Sequence, residues 1–171
     1  MLEIKLNIMI VIVFGLPGSG KSYFASRLAT RLKAQYLNSD RERKRMFAKR
    51  IYSPDEKLIV YEEMLSKMKQ AKMEKISLVL DATFHKDHIR KKFIDEAGNS
   101  TTIIEVHAKE TLIHERLNKK REDSEADFNV YKIIQSQWEP MKEEHLKLES
   151  TDYNIDDMLD QAIKYIELKH V

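Results

Sequence analysis

Residues 8–22 read IMIVIVFGLPGSGKS: seven apolar residues running into a complete G-x-x-x-x-G-K-[ST] loop at Gly15 to Ser22. A short continuous apolar run of this length predicts a buried strand. A strand, a glycine-rich loop and a helix opening near Gly20, in that order, form the context in which such a loop holds phosphates. The glycines let successive backbone N–H groups turn inward around a phosphate, and the helix adds the positive end of its dipole. Gly15, Leu16, Pro17, Gly18, Ser19, Gly20, Lys21, Ser22 and Tyr23 are therefore the candidate nucleotide-binding residues. Lys21 is expected to reach the β- and γ-phosphates of ATP, and Ser22 to offer its hydroxyl to Mg²⁺.

Strands and helices alternate downstream of the loop. Tyr23, Phe24, Leu28 and Leu32 recur at helical spacing over residues 20–33, and residues 35–39 read as a short strand ending at Asp40. Ser53-Pro54-Asp55-Glu56 is a helix start, with Ser as N-cap and Pro at the first helical position. That helix should run to about Lys75 with Leu58, Tyr61, Leu65, Met68 and Met73 on one face. Residues 76–80 form an apolar strand ending at Asp81, a helix over 85–97 stops at Gly98-Asn99, and residues 101–107 form a β-branched strand. A helix carrying Leu112, Ile113 and Leu117 follows. Residues 118–127 read as a charged, mobile connector, residues 128–146 as a helix interrupted or ended near Pro140, 146–148 as a last strand and 156–168 as a C-terminal helix. This alternation predicts an α/β fold, a parallel sheet with helices on both faces and ligands at the carboxyl edge of the strands.

The length of 171 residues fits one domain, residues 1–171, able to bury a core without metals or disulfides. Cysteine is absent, which excludes a disulfide framework, a cysteine-based zinc site and a thiol nucleophile, and the six histidines show no metal spacing. The apolar run near the N-terminus is too short to span a bilayer, and cleavage after it would destroy the loop, so a soluble cytoplasmic protein with no membrane partner is expected. Net charge is +2; residues 143–171 carry three Lys/Arg against eight Asp/Glu, a net −5, which leaves +7 on residues 1–142.

Three carboxyl-edge positions carry the chemistry. Asp81, directly after an apolar strand, is a candidate to orient Mg²⁺-bound water, with a helix N-cap as the competing role. Asp40 is a candidate general base that fixes an acceptor hydroxyl and takes its proton. Arg43, three residues on, would share its helix face and hold a substrate phosphate or the transferring group. Residues 41–50 hold six basic side chains, of which Arg41, Lys44, Arg45, Lys49 and Arg50 individually read as a solvated face. As a segment beside Asp40, with Lys86, Arg90, Lys91 and Lys92, they support a polynucleotide 5′ end as acceptor, because phosphate contacts dominate nucleic-acid affinity. One arginine of a lid at about 116–130, Arg116 or Arg121, is expected to close over the triphosphate.

GLPGSGKS, NSDRERKR, LVLDATF and RLNKKREDSEAD followed by a helix ending in WEP together resemble the small P-loop kinase family. That family includes the 5′-hydroxyl kinase domain of bacteriophage polynucleotide kinase, the zeta-toxin and chloramphenicol phosphotransferase relatives and many uncharacterised kinases. The resemblance covers residues 8–150. It implies a P-loop NTPase sandwich with a five-stranded parallel sheet in the order 2-3-1-4-5, like that of nucleoside monophosphate kinases, with a helical lid. It also implies Asp40 as base, Arg43 as the acceptor-side arginine, Asp81 as the third-strand carboxylate and Arg116 or Arg121 as lid arginine. The phosphatase domain of some polynucleotide kinases is absent from this chain.

The expected activity is ATP- and Mg²⁺-dependent transfer of a γ-phosphoryl group to a hydroxyl, on either a nucleic-acid 5′ end or a small molecule. The rival reading is a nucleotide-binding ATPase switch without a kinase acceptor. The guanine-reading N-K-x-D element does not follow the fourth strand. Oligomeric state has no signature in the sequence.

Overall fold

A computed structural model describes residues 8–119 and 125–170. The first strand, β1 (Ile10–Phe14), leads through the glycine-rich loop into α1 (Lys21–Leu32). There follow β2 (Gln35–Asn38), α2 (Ser39–Met46), α3 (Pro54–Met73), β3 (Leu78–Ala82), α4 (Asp87–Ala97) and β4 (Thr101–His107). The chain closes with α5 (Glu110–Leu117), α6 (Phe128–Ser136), β5 (Leu146–Glu149) and α7 (Ile155–Lys169). The five strands form one parallel sheet in the order β2-β3-β1-β4-β5, as the resemblance implies.

All five residues of β1 are buried, and the alternation of a strand divides them between two cores. Ile10, Ile12 and Phe14 face α3 and α4, where Val60, Met64, Met68 and Phe93 pack. Val11 and Val13 face the opposite layer, with Phe24 and Leu28 of α1 and Met158, Leu159 and Ala162 of α7. A smaller cluster joins α5 to α6 through Ile113, Leu117 and Tyr131.

Several element ends differ from expectation. Asp81 lies inside β3, in register with Val13 on one side and Asn38 on the other, and is therefore not a helix N-cap. Asn38 caps α2 by accepting from Arg41 N at 2.9 Å, which puts Asp40 in the first helical turn. On α3, Ser53 caps as expected, accepting from Glu56 N at 3.1 Å. The inward stripe of α3 is Val60, Met64, Met68 and Ala71, while Leu58 and Met73 face solvent. The spacing of four between 60, 64 and 68 follows the helix face more closely than the expected set does.

Helix α6 ends at Ser136, short of Pro140, and residues 137–145 do a different job. Trp138 stacks on Phe14 with ring centroids 5.8 Å apart, and the Glu139 carboxylate accepts from Asp87 N at 2.7 Å at the start of α4. Arg90, expected from sequence to add positive charge for a nucleic-acid acceptor, is 1 % exposed and is the largest fully buried side chain among the described residues. It donates to the carbonyls of Phe84, Glu139 and Pro140 at 2.8, 2.7 and 3.0 Å, so it ties this segment to α4 and is not available to a nucleic acid.

Candidate active site

The glycine-rich loop is built by contacts that admit no side chain. A Cβ on Gly15 would stand 2.2 Å from the carbonyl oxygen of Val106, so the loop can leave β1 beside β4 only with glycine there. Gly20 caps α1 with φ 91°, a left-handed conformation that favours glycine. Leu16 packs toward the α5–α6 cluster, and Ser19, whose N–H donates to Leu16 O at 3.1 Å, has a buried hydroxyl with no partner among the described residues. Lys21 opens α1 and lines two cavities, one that includes Pro17 in its wall and one that includes Gly18 and Gly20. Tyr23 is exposed and carries Arg27 over its ring at 3.4 Å, at the wall of the second cavity.

Asp81 is fully buried at the sheet edge. Its Oδ2 accepts two 2.6 Å hydrogen bonds, from Tyr36 Oη and Asn38 Nδ2, short in the manner of bonds to a charged acceptor. Burial, then the Asp81 charge, raises the Tyr36 pKa far above the ordinary phenol value, so Tyr36 remains a donor. Asn38 Nδ2 also lies 3.5 Å from Ser22 Oγ, linking the loop hydroxyl to the carboxylate. Asp81 Oδ1 is buried without a partner among the described residues. A hydroxyl and an orphaned carboxylate oxygen beside a phosphate loop fit a Mg²⁺ ion that keeps most of its ligands as water. Sequence reading missed Tyr36 and Asn38, which act through Asp81 from the adjacent strand.

The first cavity, about 280 Å³, joins Lys21 to Asp40 and Arg43. Arg43 Nη1 pairs with Asp40 Oδ1 at 2.8 Å and Arg43 Nε with Glu56 Oε1 at 3.1 Å, and the Arg43 guanidinium covers the Tyr52 ring at 4.7 Å. Tyr52 Oη donates to Glu125 Oε2 at 3.0 Å, and Arg50 reaches Glu125 Oε1 at 2.6 Å, so the segment before α6 is pinned to the chain before α3. Burial and the hydrogen bond to Glu125 push the Tyr52 phenol up to about 12. Lys57, Tyr61 and His85 complete the polar wall. Burial, with Lys57 and Lys86 next in weight, pushes His85 down to about 4, so the ring is neutral at pH 7.

The basic stretch 41–50 is largely answered from within the fold. Arg43 has two carboxylates, Arg45 meets Glu42 and Glu63, and Arg50 meets Glu125. Those pairings weaken the expectation of a basic nucleic-acid surface there, because a side chain held by a carboxylate is less available to a phosphate.

Arg116, near the end of α5, stands over the loop. Its Nη1 donates to Gly18 O at 3.3 Å and Ser150 Oγ at 3.0 Å, and Nη2 pairs with Asp152 at 3.2 Å. It lines the second cavity, about 450 Å³, together with Gly20, Ser22 and Thr151. Arg121, the other lid candidate, lies with residues 120–124 outside the described residues.

This loop, on this sheet order, defines the fold of the small P-loop kinases. The chain belongs to the family described as AAA domain, whose model matches residues 10–145. Solved structures of the same fold include a sugar kinase from Janibacter sp. HTCC2649, 14 % identical, with a TM-score of 0.74 over 94 % of this chain and 95 % of that one. A gluconokinase from Sinorhizobium meliloti 1021 is 14 % identical, with a TM-score of 0.74 over 95 % of this chain and 93 % of that one. The APS kinase of Mycobacterium tuberculosis, solved with AMPPNP and APS, is 17 % identical, with a TM-score of 0.73 over 94 % and 98 %. Among curated proteins, none matches this sequence. No described helix is long and apolar enough to cross a membrane.

Proposed function

We propose that the protein transfers the γ-phosphoryl group of ATP to an acceptor hydroxyl. One observation carries this reading: Lys21 lines both cavities, and the first holds a carboxylate, Asp40, beside it. A nucleotide-hydrolysing switch has no use for this first cavity, of about 280 Å³, with a carboxylate and a buried arginine in its wall.

In this reading the loop N–H groups and Lys21 hold the triphosphate, and Arg116 flanks the nucleotide on the side of the second cavity. Ser22 and Asp81 would hold Mg²⁺, which neutralises charge on the β- and γ-phosphates when bound. Asp40 accepts the proton of the acceptor hydroxyl as that oxygen bonds to the γ-phosphorus, and the bond from that phosphorus to the oxygen bridging it to ADP breaks, its electron pair leaving with ADP. Arg43 keeps Asp40 in place. A cytoplasmic location goes with this reading, because the ATP pool lies there.

The test is a transfer assay with γ-³²P-labelled ATP and Mg²⁺ against hydroxyl compounds of several classes. Labelled acceptor is the expected product, abolished by Lys21→Ala; label appearing only as inorganic phosphate with every acceptor would favour the switch.

A further inference from the structure

We propose that Lys57 is an anion-recognition residue of the first cavity, and that the acceptor is a compact alcohol bearing one anionic group, a carboxylate or a phosphate monoester. This rests on the transferase reading for the hydroxyl, though the anion site itself stands on separate observations.

The first is a charge inventory of the cavity. Arg43 is ion-paired with Asp40 and Glu56, and the wall residue Glu125 is paired with Arg50. Lys21 belongs to the phosphate loop. His85 is neutral at pH 7. Lys57 also lines the cavity, and among the described residues no carboxylate comes within ion-pair distance of it. A partly buried ammonium with no counter-ion is costly, and an anionic ligand supplies the missing partner. Burial, and after it the Arg43 charge, hold Lys57 below its ordinary pKa, as expected of a cation short of a partner.

The second observation is a hydroxyl on the same helix, one turn on. Tyr61 Oη accepts from Phe84 N at 3.1 Å, which leaves its own proton to donate, and Tyr61 lines the same cavity. An ammonium and a phenol four residues apart on α3 share a helix face. The same wall holds two carboxylates, Asp40 of α2 and Glu125, the latter engaged by Arg50 and Tyr52. The pocket thus offers a cation and a donor on one element and a base on another.

The third is size. About 280 Å³ lies just below the range of drug-sized ligand pockets, and the α6 side of the wall, Val130, Ile133 and Ile134, is apolar. A small molecule fits that enclosure better than a polymer end, whose flanking phosphates need an open basic track.

The experiment is calorimetric titration of the protein saturated with Mg²⁺ and AMPPNP. The probes are D-gluconate and sn-glycerol 3-phosphate, their neutral counterparts sorbitol and glycerol, and a 5′-hydroxyl oligonucleotide. At least one anionic probe should bind about 10- to 100-fold more tightly than its counterpart, and which one does distinguishes carboxylate from phosphate. Lys57→Met should erase that preference and Lys57→Arg retain most of it, with thermal melting confirming that both variants fold. Equal binding of charged and neutral probes, a preference that survives Lys57→Met, binding of the oligonucleotide alone, or binding of no probe would each overturn the proposal. The same probes in the labelled-ATP assay separate the two readings. Lysine-dependent anion binding without transfer keeps the anion site and overturns the transferase. Transfer to neutral alcohols alone does the reverse.

Discussion

Arg43 Nη1 lies 2.8 Å from Asp40 Oδ1 across one turn of α2, and the arginine is the more buried partner, with 8 % of its side chain exposed against 26 % for the aspartate. The buried cation therefore acts as a fixed strut and the carboxylate as the group it presents at the cavity. The pair fixes where the carboxylate stands, which is what a group receiving a proton from a bound hydroxyl would need.

Asp40→Asn keeps the shape of this arrangement and removes the base. Transfer should fall by about 10²- to 10⁴-fold, the usual contribution of general-base catalysis, while Mg-ATP affinity stays within a few-fold. Single-turnover transfer and nucleotide binding measured on the same preparation check this. Equal loss of both would assign Asp40 a structural role.

Glu56 is the second partner of Arg43 and is itself buried, 3 % of its side chain being exposed; its other oxygen accepts from Ile51 N at 2.8 Å. Removing it leaves a buried guanidinium half-paired and a backbone N–H without its acceptor. Glu56→Ala should cost about 3–5 kcal/mol of stability, as breaking one side of a buried ion pair does. Urea unfolding measures it. A cost below about 1 kcal/mol would mean that Arg43 is held by Asp40 alone.

Most element positions were legible because their signals are local: an apolar strand before a glycine loop, Ser53-Pro54 opening a helix, β-branched residues at 101–107. The sheet order came only with the family resemblance, since strand pairing leaves no local signal. Asp40, Arg43 and Asp81 were legible as candidates because each follows or ends a strand at the carboxyl edge. What escaped was set by contacts between distant segments. Arg90 looks like any charged helix residue until Glu139 and Pro140, some 50 residues on, supply the carbonyls it binds. Tyr61 reads from sequence as one of the inward positions of its helix, and nothing local marks Lys57; both become cavity wall because α2, α3 and α6 come together around one space.

Asp81→Asn should alter the Mg²⁺ requirement rather than nucleotide affinity, if the proposed metal role holds. The amide would still face Tyr36 Oη and Asn38 Nδ2, both donors to Oδ2 in the native protein, but the charge next to the unpartnered Oδ1 would be gone. Half-maximal activity should need about tenfold more Mg²⁺, consistent with outer ligands contributing 10- to 100-fold to metal affinity. A Mg²⁺ titration at saturating ATP reads this directly. An unchanged midpoint would show that Asp81 only braces β2 against β3.

His85 predicts a pH dependence of stability whose sign follows from its depressed pKa. In the unfolded chain the ring titrates near its ordinary value of 6.5; in the folded protein burial and the neighbouring lysines bring it to about 4. Between these values the unfolded state binds a proton that the folded state refuses, so stability falls as the pH drops from about 6.5 toward 4, and this contribution is constant above that window. The ring is only partly buried, so the loss is about 1 kcal/mol after solvent screening. His85→Gln cannot take up a proton in either state and should flatten this part of the curve. Urea midpoints for both proteins at pH 7.5, 6.0 and 5.0 test it: their difference should narrow or reverse in favour of the variant as pH falls. A pH-independent difference would show that His85 titrates alike in both states.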